Sequence, residues 1–190
     1  QTELPHKQMR SNSLEVCGDI LAVAYQTIGP SGKNVDPGYN IEPAGIELFD
    51  ISTPEEPKTI SFFDCHGPGS AGVHQLWFDD GEYIHFSGGA TDHIARNGKD
   101  TQFYRCIDVK DPTKPTDVGR WWYPGTKEGD VEDPPARHPV FDNGFRAHNT
   151  NVFPERPDRV YMGYLDGGTI ILDISDKAHP KMISHWNPHP

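Results

Sequence analysis

The sequence predicts an all-β protein built from short antiparallel strands. Three observations lead to this fold class: a strand pattern that recurs three times, turn residues between the strands, and no long stretch with a helical period of 3.6 residues. The 190 residues include 19 Gly and 18 Pro, which is typical of a chain with many tight turns. Aromatic residues make up 11% of the chain and supply material for burial, which argues against a disordered chain.

Three similar segments form one half of a repeated unit. Each begins with an alternating strand that ends in Asp-Ile or Asp-Val, continues through a proline-marked turn, and finishes with a second short strand. The segments cover residues 45–64, 103–122 and 168–187. The aspartates at the strand ends are Asp50, Asp108 and Asp173, which are spaced 58 and 65 residues apart. Periods of this length are typical of blades rather than of solenoid coils.

The other half of the unit also recurs, as a strand, a polar turn and a second strand. The corresponding ranges are 13–26, 74–89 and 148–168. Their turns read Cys-Gly-Asp, Asp-Asp-Gly and Pro-Glu-Arg-Pro-Asp, and such residues favour hairpins and turns. The full unit therefore has four antiparallel strands of about five residues, which is the blade of a β-propeller.

The three units predict a single partial β-propeller domain over residues 1–190. The units cover about 1–64, 65–125 and 126–190. Propellers usually have four to eight blades, so three blades leave an open arc. We expect the ring to be completed by a C-terminal portion beyond this sequence or by a second chain, and the second case makes the protein an oligomer.

The segment GIELFDISTPEEPKTISFF resembles the repeat of the LVIVD-repeat family, a bacterial β-propeller group. The resemblance covers nearly the whole chain, in three tandem copies. It implies the blade architecture and assigns no activity, because members of this family are mostly uncharacterised. Propellers include lyases, hydrolases, oxidoreductases and scaffolds, so function must be argued from individual residues.

Composition excludes several classes of partner. The formal net charge of −11 argues against nucleic acid and anionic membranes as partners. No apolar run approaches the roughly 20 residues that span a bilayer, and the first residues contain no secretory apolar region. The three cysteines do not make a disulfide framework. We expect a cytoplasmic protein with buried thiols.

Histidines provide the strongest chemical signal. His74 and His148 each open the first strand of a unit, and in a propeller that position lies at the mouth of the central channel. Imidazoles converging there would bind a divalent transition metal such as Fe, Zn, Mn or Cu. The matching place in the first unit is near Ser11 and Asn12, without a histidine. A third ligand would come from His66, from His138, or from the missing part of the ring.

Two insertions add further candidate residues. Residues 88–102 interrupt the second unit and contain Asp92 and His93, a candidate for a supporting carboxylate or an acid/base pair. Residues 124–147 precede the His148 strand and are interpreted as a lid or substrate loop, or as a solvated excursion. This second loop supplies Arg137 and Arg146 as candidates for binding a substrate carboxylate, and His138 as a catalytic candidate.

Three functions remain open at this point. The first is a metal-dependent enzyme, a hydrolase, lyase or oxidoreductase acting on a small organic molecule. The second is a non-catalytic binding or assembly module in which the histidines are structural. The third is a small-molecule binder that uses the same channel without a metal. The two long loops and the in-phase histidines lie on the same side of the predicted fold, which favours the enzyme.

Overall fold

A computed structural model describes residues 9–27, 44–66 and 70–188. Parts of the first predicted unit, residues 1–8 and 28–43, lie outside these ranges, as do residues 67–69 and 189–190. The described residues form eleven strands in three antiparallel sheets and contain no helix. The predicted all-β class is therefore confirmed. No helix long and apolar enough to cross a membrane occurs in the described ranges.

The strands follow one another in space as they do in sequence. The first sheet contains β1 (Met9–Cys17), β2 (Ile20–Thr27), β3 (Gly45–Asp50) and β4 (Lys58–Asp64). The second sheet contains β5 (Val73–Trp77), β6 (Tyr83–Gly88), β7 (Phe103–Asp108) and β8 (Thr116–Trp121). The third sheet contains β9 (Arg159–Tyr164), β10 (Gly168–Asp173) and β11 (Lys181–Trp186).

The third sheet has three strands where the sequence predicted four. The chain that should form its first strand pairs with β9 through two isolated bridges, at Ala147 to Tyr164 and at Asn151 to Tyr161. Between these bridges the Asn149 side-chain oxygen accepts the backbone N–H of Gly163 at 3.0 Å. A side chain thus takes a donor that a continuous ladder would use, which explains why no regular strand forms here.

The repeated aspartates form the same turn in all three sheets. Their Oδ1 atoms accept the backbone N–H two residues later at 2.8–2.9 Å, at the pairs Asp50–Ser52, Asp108–Lys110 and Asp173–Ser175. The residue directly after each aspartate donates its N–H at 2.8 Å to a carbonyl oxygen in the turn or at the strand end of the preceding hairpin. The sequence repeat is therefore a structural repeat, because each aspartate fixes the turn that leads to its fourth strand.

Apolar side chains between neighbouring sheets form the two larger cores. One core joins the first and second sheets through residues such as Leu48 and Phe86. The other joins the second and third sheets through residues such as Tyr104 and Met162. The last strands of the first and second sheets also pack on the turn of the following sheet. Ser61 Oγ in β4 donates to the carbonyl oxygen of Pro112 at 2.6 Å, and Gly119 in β8 lies against the backbone of Lys177.

The outer face of the third sheet has no such neighbour among the described residues. Leu48 and Cys106 lie two positions before their turn aspartates and are fully buried, whereas Ile171 at the same position is only half-buried. Strand β11 is exposed along its whole length, with Ile183 at 49% and Trp186 at 66% exposure. The face that the first two sheets bury against a following sheet is therefore open on the third.

Candidate functional site

Two equivalent β-bulges create the candidate site. The β1–β2 ladder skips Asn12, since Ser11 pairs with Tyr25 and Ser13 with Ala24. The β5–β6 ladder skips His74 in the same way, between Val73 and Gln75. A bulge redirects the side chain of the extra residue and is common beside functional sites. Equivalent bulges therefore position Asn12 and His74 in two successive sheets.

His148 is the residue of the third unit that corresponds to Asn12 and His74, and we call these three residues the row. It follows Ala147, whose bridge to Tyr164 marks the start of the irregular segment beside β9. The rings of His74 and His148 are in edge-to-face contact, with centroids 4.6 Å apart and an interplanar angle of 68°. The structure therefore brings together the two histidines that the sequence repeat singled out.

Polar neighbours on both sides hold the His74 ring. The Asn12 amide nitrogen lies 3.1 Å from His74 Nδ1 and also donates to the His74 backbone carbonyl. The Gln26 side-chain oxygen lies 3.4 Å from the same Nδ1 and accepts a hydrogen bond from Arg10 at 2.8 Å. Nδ1 thus faces a donor and an acceptor, so both neutral tautomers of His74 find a partner.

Burial and positive charge keep His74 neutral. Burial is the largest cause that lowers its pKa to about 4, followed by the charges of His148, Arg146 and Arg10. At neutral pH the ring therefore carries a nitrogen lone pair that can accept a hydrogen bond or bind a metal. A neutral ring with a free lone pair is required both of a general base and of a metal ligand.

Arg146 lies close enough to His74 to influence it electrostatically, and its side chain has no hydrogen-bond partner among the described residues. It precedes His148 by two residues, and its side chain is half-buried. Its Nε is buried without a hydrogen-bond partner among the described residues, and no described carboxylate forms an ion pair with it. Burial also lowers the pKa of this guanidinium. The substrate-binding role of Arg146 stays a prediction.

Arg137, the other predicted carboxylate-binding residue, is already engaged. Its guanidinium donates to Asp142 at 2.8 Å and to the buried Asp100, and lies 5.6 Å from the centre of the Phe145 ring. A substrate carboxylate would have to displace two ion pairs to reach it. The structure therefore gives Arg137 an anchoring role in its loop.

Asp92 and His93, the candidates for a supporting carboxylate or an acid/base pair, make separate contacts in the structure. The Asp92 carboxylate accepts from Arg120 at 2.5 Å and points towards solvent. The His93 ring is 4% exposed and stacks on Phe103 at 4.1 Å. Neither of its nitrogens has a hydrogen-bond partner among the described residues. His93 therefore acts as a core residue of the first insertion.

His138 and His66 have local roles in the structure. His138 Nδ1 accepts the backbone N–H groups of Val140 and Phe141 at 3.2 and 3.0 Å, which closes a turn in the second insertion. His66 bonds to the Asp64 carboxylate. No three His, Cys, Asp or Glu side chains of the described residues are grouped to hold a metal ion. His74 and His148 thus supply two ligands, and a closed metal site needs others from outside these residues.

The two insertions are fastened to each other. Arg96 and Thr126 share a backbone hydrogen bond of 2.8 Å, and an isolated bridge joins Ala95 to Lys127. Asp100 connects the insertions a second time, because its Oδ1 accepts the backbone N–H of Phe145 at 2.8 Å. The second insertion, residues 124–147, which was predicted to be a lid or substrate loop, is therefore held in place by the first insertion. It sets the position of the segment that carries Arg146 and His148.

Comparison with known proteins gives no further assignment. No protein-family model matches the chain, and no curated protein is significantly similar to it. The resemblance to the LVIVD repeat therefore stays a prediction.

Sequence reasoning missed Arg10 and Gln26, and it treated Asn12 only as a missing histidine. One signal was present in the sequence. Arg10 and Asn12 have the same spacing as Arg146 and His148, an arginine two residues before the row position. Gln26 gave no such signal, because its role depends on the pairing of β1 with β2.

Proposed function

We propose that this chain is part of a β-propeller of the LVIVD-repeat type, in a bacterial cytoplasmic protein, with its three sheets as successive blades. Three features support the proposal: the same aspartate turn in each sheet, the core between each pair of neighbours, and the open outer face of the third sheet. The open face is where a further blade would pack.

Within this propeller, the site around His74 and His148 is that of an enzyme acting on a small organic molecule. The observation that supports this best is the ring contact of two imidazoles from successive sheets, at 4.6 Å. With a pKa of about 4, His74 is neutral at physiological pH and offers a nitrogen lone pair to a hydrogen-bond donor or to a metal. Its Nδ1 faces Asn12 and Gln26, which provide a partner for either neutral tautomer.

A divalent transition metal, Fe, Zn, Mn or Cu, is the cofactor that suits this pair. His74 and His148 would hold it, with further ligands from the remaining part of the propeller or from a second chain. The neutral state of His74 fits metal ligation, because a protonated imidazole has no lone pair to offer. When bound, the metal would polarise a substrate oxygen or activate water.

Metal analysis of the protein as isolated, with an intact mass on the same sample, tests this function. We expect one metal per closed propeller, lost in His74→Ala and in His148→Ala. His179→Ala is the matched control, since His179 is exposed and bonds only to its turn neighbour Asp176. The enzyme proposal fails if no metal is present and if both site variants leave turnover of every tested substrate unchanged.

A binding or assembly module is the second candidate, and the open face of β11 favours it. Ile183 and Trp186 are apolar and exposed, as expected of an assembly surface. Sedimentation velocity on the chain and on a variant with Ile183→Ser and Trp186→Ser separates the two functions. Association that depends on these residues, together with histidine variants that are silent in every assay, would favour the module.

A further inference from the structure

We infer that the outer face of the third sheet binds the first-sheet turn of a second copy of this chain. This turn covers residues 51–57 and links β3 to β4. The inference rests on the proposed arrangement of the sheets as successive blades and does not depend on the enzyme activity. Three observations support it: a contact that recurs between neighbouring sheets, two surfaces that lack this contact, and the match between those surfaces.

The recurring contact joins a turn carbonyl to a small residue. The carbonyl four residues after the repeated aspartate lies on the last strand of the preceding sheet. Between the first two sheets it belongs to Pro112 and accepts the Ser61 hydroxyl at 2.6 Å. Between the second and third sheets it belongs to Lys177 and lies against Gly119, where a Cβ atom would collide with it. We call the small residue of this contact the receiving position.

Ser184 is the receiving position of the third sheet. It pairs with Ile171 as Ser61 pairs with Leu48, so the two serines are equivalent. Ser184 is exposed, whereas Ser61 is half-buried. The third sheet therefore presents the receiving position without a turn against it among the described residues.

The aromatic residue two positions after the receiving position shows the same difference. In the first sheet it is Phe63, whose ring centre lies 6.3 Å from that of Phe86 in the second sheet. In the second sheet it is Trp121, whose ring centre lies 5.8 Å from that of Tyr164 in the third sheet. In the third sheet it is Trp186, which is 66% exposed. The face thus has the side chains of an interface in place.

The first-sheet turn shows the complementary difference. Pro54 stands four residues after its aspartate, as Pro112 and Lys177 do in the other two turns. Pro54 is exposed, whereas Pro112 and Lys177 are half-buried. Ile51, directly after the aspartate, is half-buried, whereas the residues at that place in the other two turns are buried. Among the described residues, this turn has no preceding sheet to pack on.

The two surfaces match each other in chemistry. Ser184 and Pro54 repeat the residue types of the Ser61–Pro112 contact, in which a hydroxyl donates to a proline carbonyl. The first-sheet turn contains two glutamates, whereas β11 contains a lysine and no carboxylate. Opposite charges at a contact favour association in the correct orientation. Because the second sheet lies between the first and the third, the two surfaces meet only between copies.

The predicted contact is heterologous, since it joins different surfaces of the two copies, and such contacts can close into rings. Two copies would bring six sheets together, three from each copy. Six lies within the four to eight blades of known propellers. The expected assembly is therefore a dimer with two such contacts.

Cysteine-specific cross-linking with a short bifunctional maleimide tests the contact. Ser184→Cys and Pro54→Cys are made separately in a Cys17→Ser background, because Cys17 is the one native cysteine that is not buried. We expect the mixture of the two variants to cross-link between copies and neither variant to cross-link to itself. The positive control is Ser61→Cys with Pro112→Cys in one chain, which should cross-link internally.

This control separates the inference from the proposed function. The inference is overturned if the mixture does not cross-link while the positive control does. Cross-linking of Ser184→Cys to itself also overturns it, since two third sheets would then dock face to face. Failure of the positive control would instead contradict the arrangement of the sheets as successive blades.

Sedimentation velocity gives an independent readout of the dimer. Ser184→Arg places a long side chain where the turn carbonyl would lie, and it should weaken dimer association about tenfold or more. Thr91→Arg is the matched control, because Thr91 is exposed in the first insertion and the change adds the same charge. A dimer that Ser184→Arg does not weaken overturns the inference. A chain that is monomeric at every concentration also overturns it and leaves a further blade of a longer chain as the occupant.

Discussion

The side-chain amide nitrogen of Asn12 lies 3.1 Å from Nδ1 of His74, although 62 residues separate them in the chain. The two residues occupy the bulges of the first and second sheets, and the His74 ring in turn contacts His148. Three equivalent positions therefore touch in sequence order. Asn12 stands where the pattern of the other two units has a histidine, and its side chain holds the histidine of the second unit, His74, in place.

The tautomer of His74 is expected to depend on Asn12. Because the Asn12 amide donates to Nδ1, the proton of the neutral ring should reside on Nε2. Asn12→Ala removes this donor and leaves Gln26 as the acceptor facing Nδ1, so the proton should move towards Nδ1. The ¹⁵N shifts of histidine-labelled protein report this change. Gln26→Ala should act in the opposite direction, and unchanged shifts in both variants would contradict the prediction.

Two buried histidines should make the protein sensitive to mild acid. Burial lowers the pKa of both His85 and His93 to about 4, so the unfolded chain takes up protons that the folded chain excludes. Stability should be fully present above about pH 6.5 and should fall as the pH decreases from 6.5 towards 4. Urea unfolding midpoints between pH 7.5 and 5 measure this loss.

His93→Phe is the matched variant for this pH dependence. Phenylalanine keeps the ring contacts with Phe103 and Trp122 and removes two nitrogens that have no partners among the described residues. We expect a smaller loss of stability between pH 7.5 and 5 than in the parent protein. If the unfolding midpoint of the variant depends on pH as strongly as that of the parent protein, His93 does not contribute to the loss of stability in acid.

Gly119 in β8 should tolerate no side chain. A Cβ atom there would collide with the carbonyl oxygen of Lys177, in the turn of the third sheet. Gly119→Val should therefore lower the free energy of unfolding by about 2 kcal/mol or more. Ser184 occupies the same position in β11 and is exposed. Ser184→Val should therefore change the free energy of unfolding by less than about 0.5 kcal/mol. Equal effects in urea unfolding would contradict the packing of β8 on that turn.

Asp100 should control the order of the second insertion. Asp100→Ala leaves Arg137 without its buried partner and Phe145 without an acceptor for its N–H. We expect cleavage within residues 124–147 by a nonspecific protease to accelerate about tenfold, because local opening becomes easier. Asp111→Ala, at an exposed turn in the second sheet, should leave the cleavage rate unchanged. Equal rates in parent and Asp100→Ala would refute the anchoring role.

The sequence predicted what depends on the repeat and failed where long-range contacts decide. The positions of His74 and His148 were predictable because each opens a unit in phase with the strand pattern. The partners of Arg137, Asp92 and His93 were not, because these residues lie in insertions without a repeat to fix their register. The missing strand before β9 has a similar origin, since nothing local reveals that Asn149 bonds to Gly163.

The two bulge positions also make the site open to redesign. In the first two sheets the backbone of Asn12 and of His74 is set by a ladder that does not depend on which side chain the residue bears. Asn12→His would therefore present a third imidazole to His74 and His148, one short of the usual four-coordinate zinc shell. A repeated backbone with one variable side chain at an equivalent position therefore allows the chemistry of the site to be changed one repeat at a time.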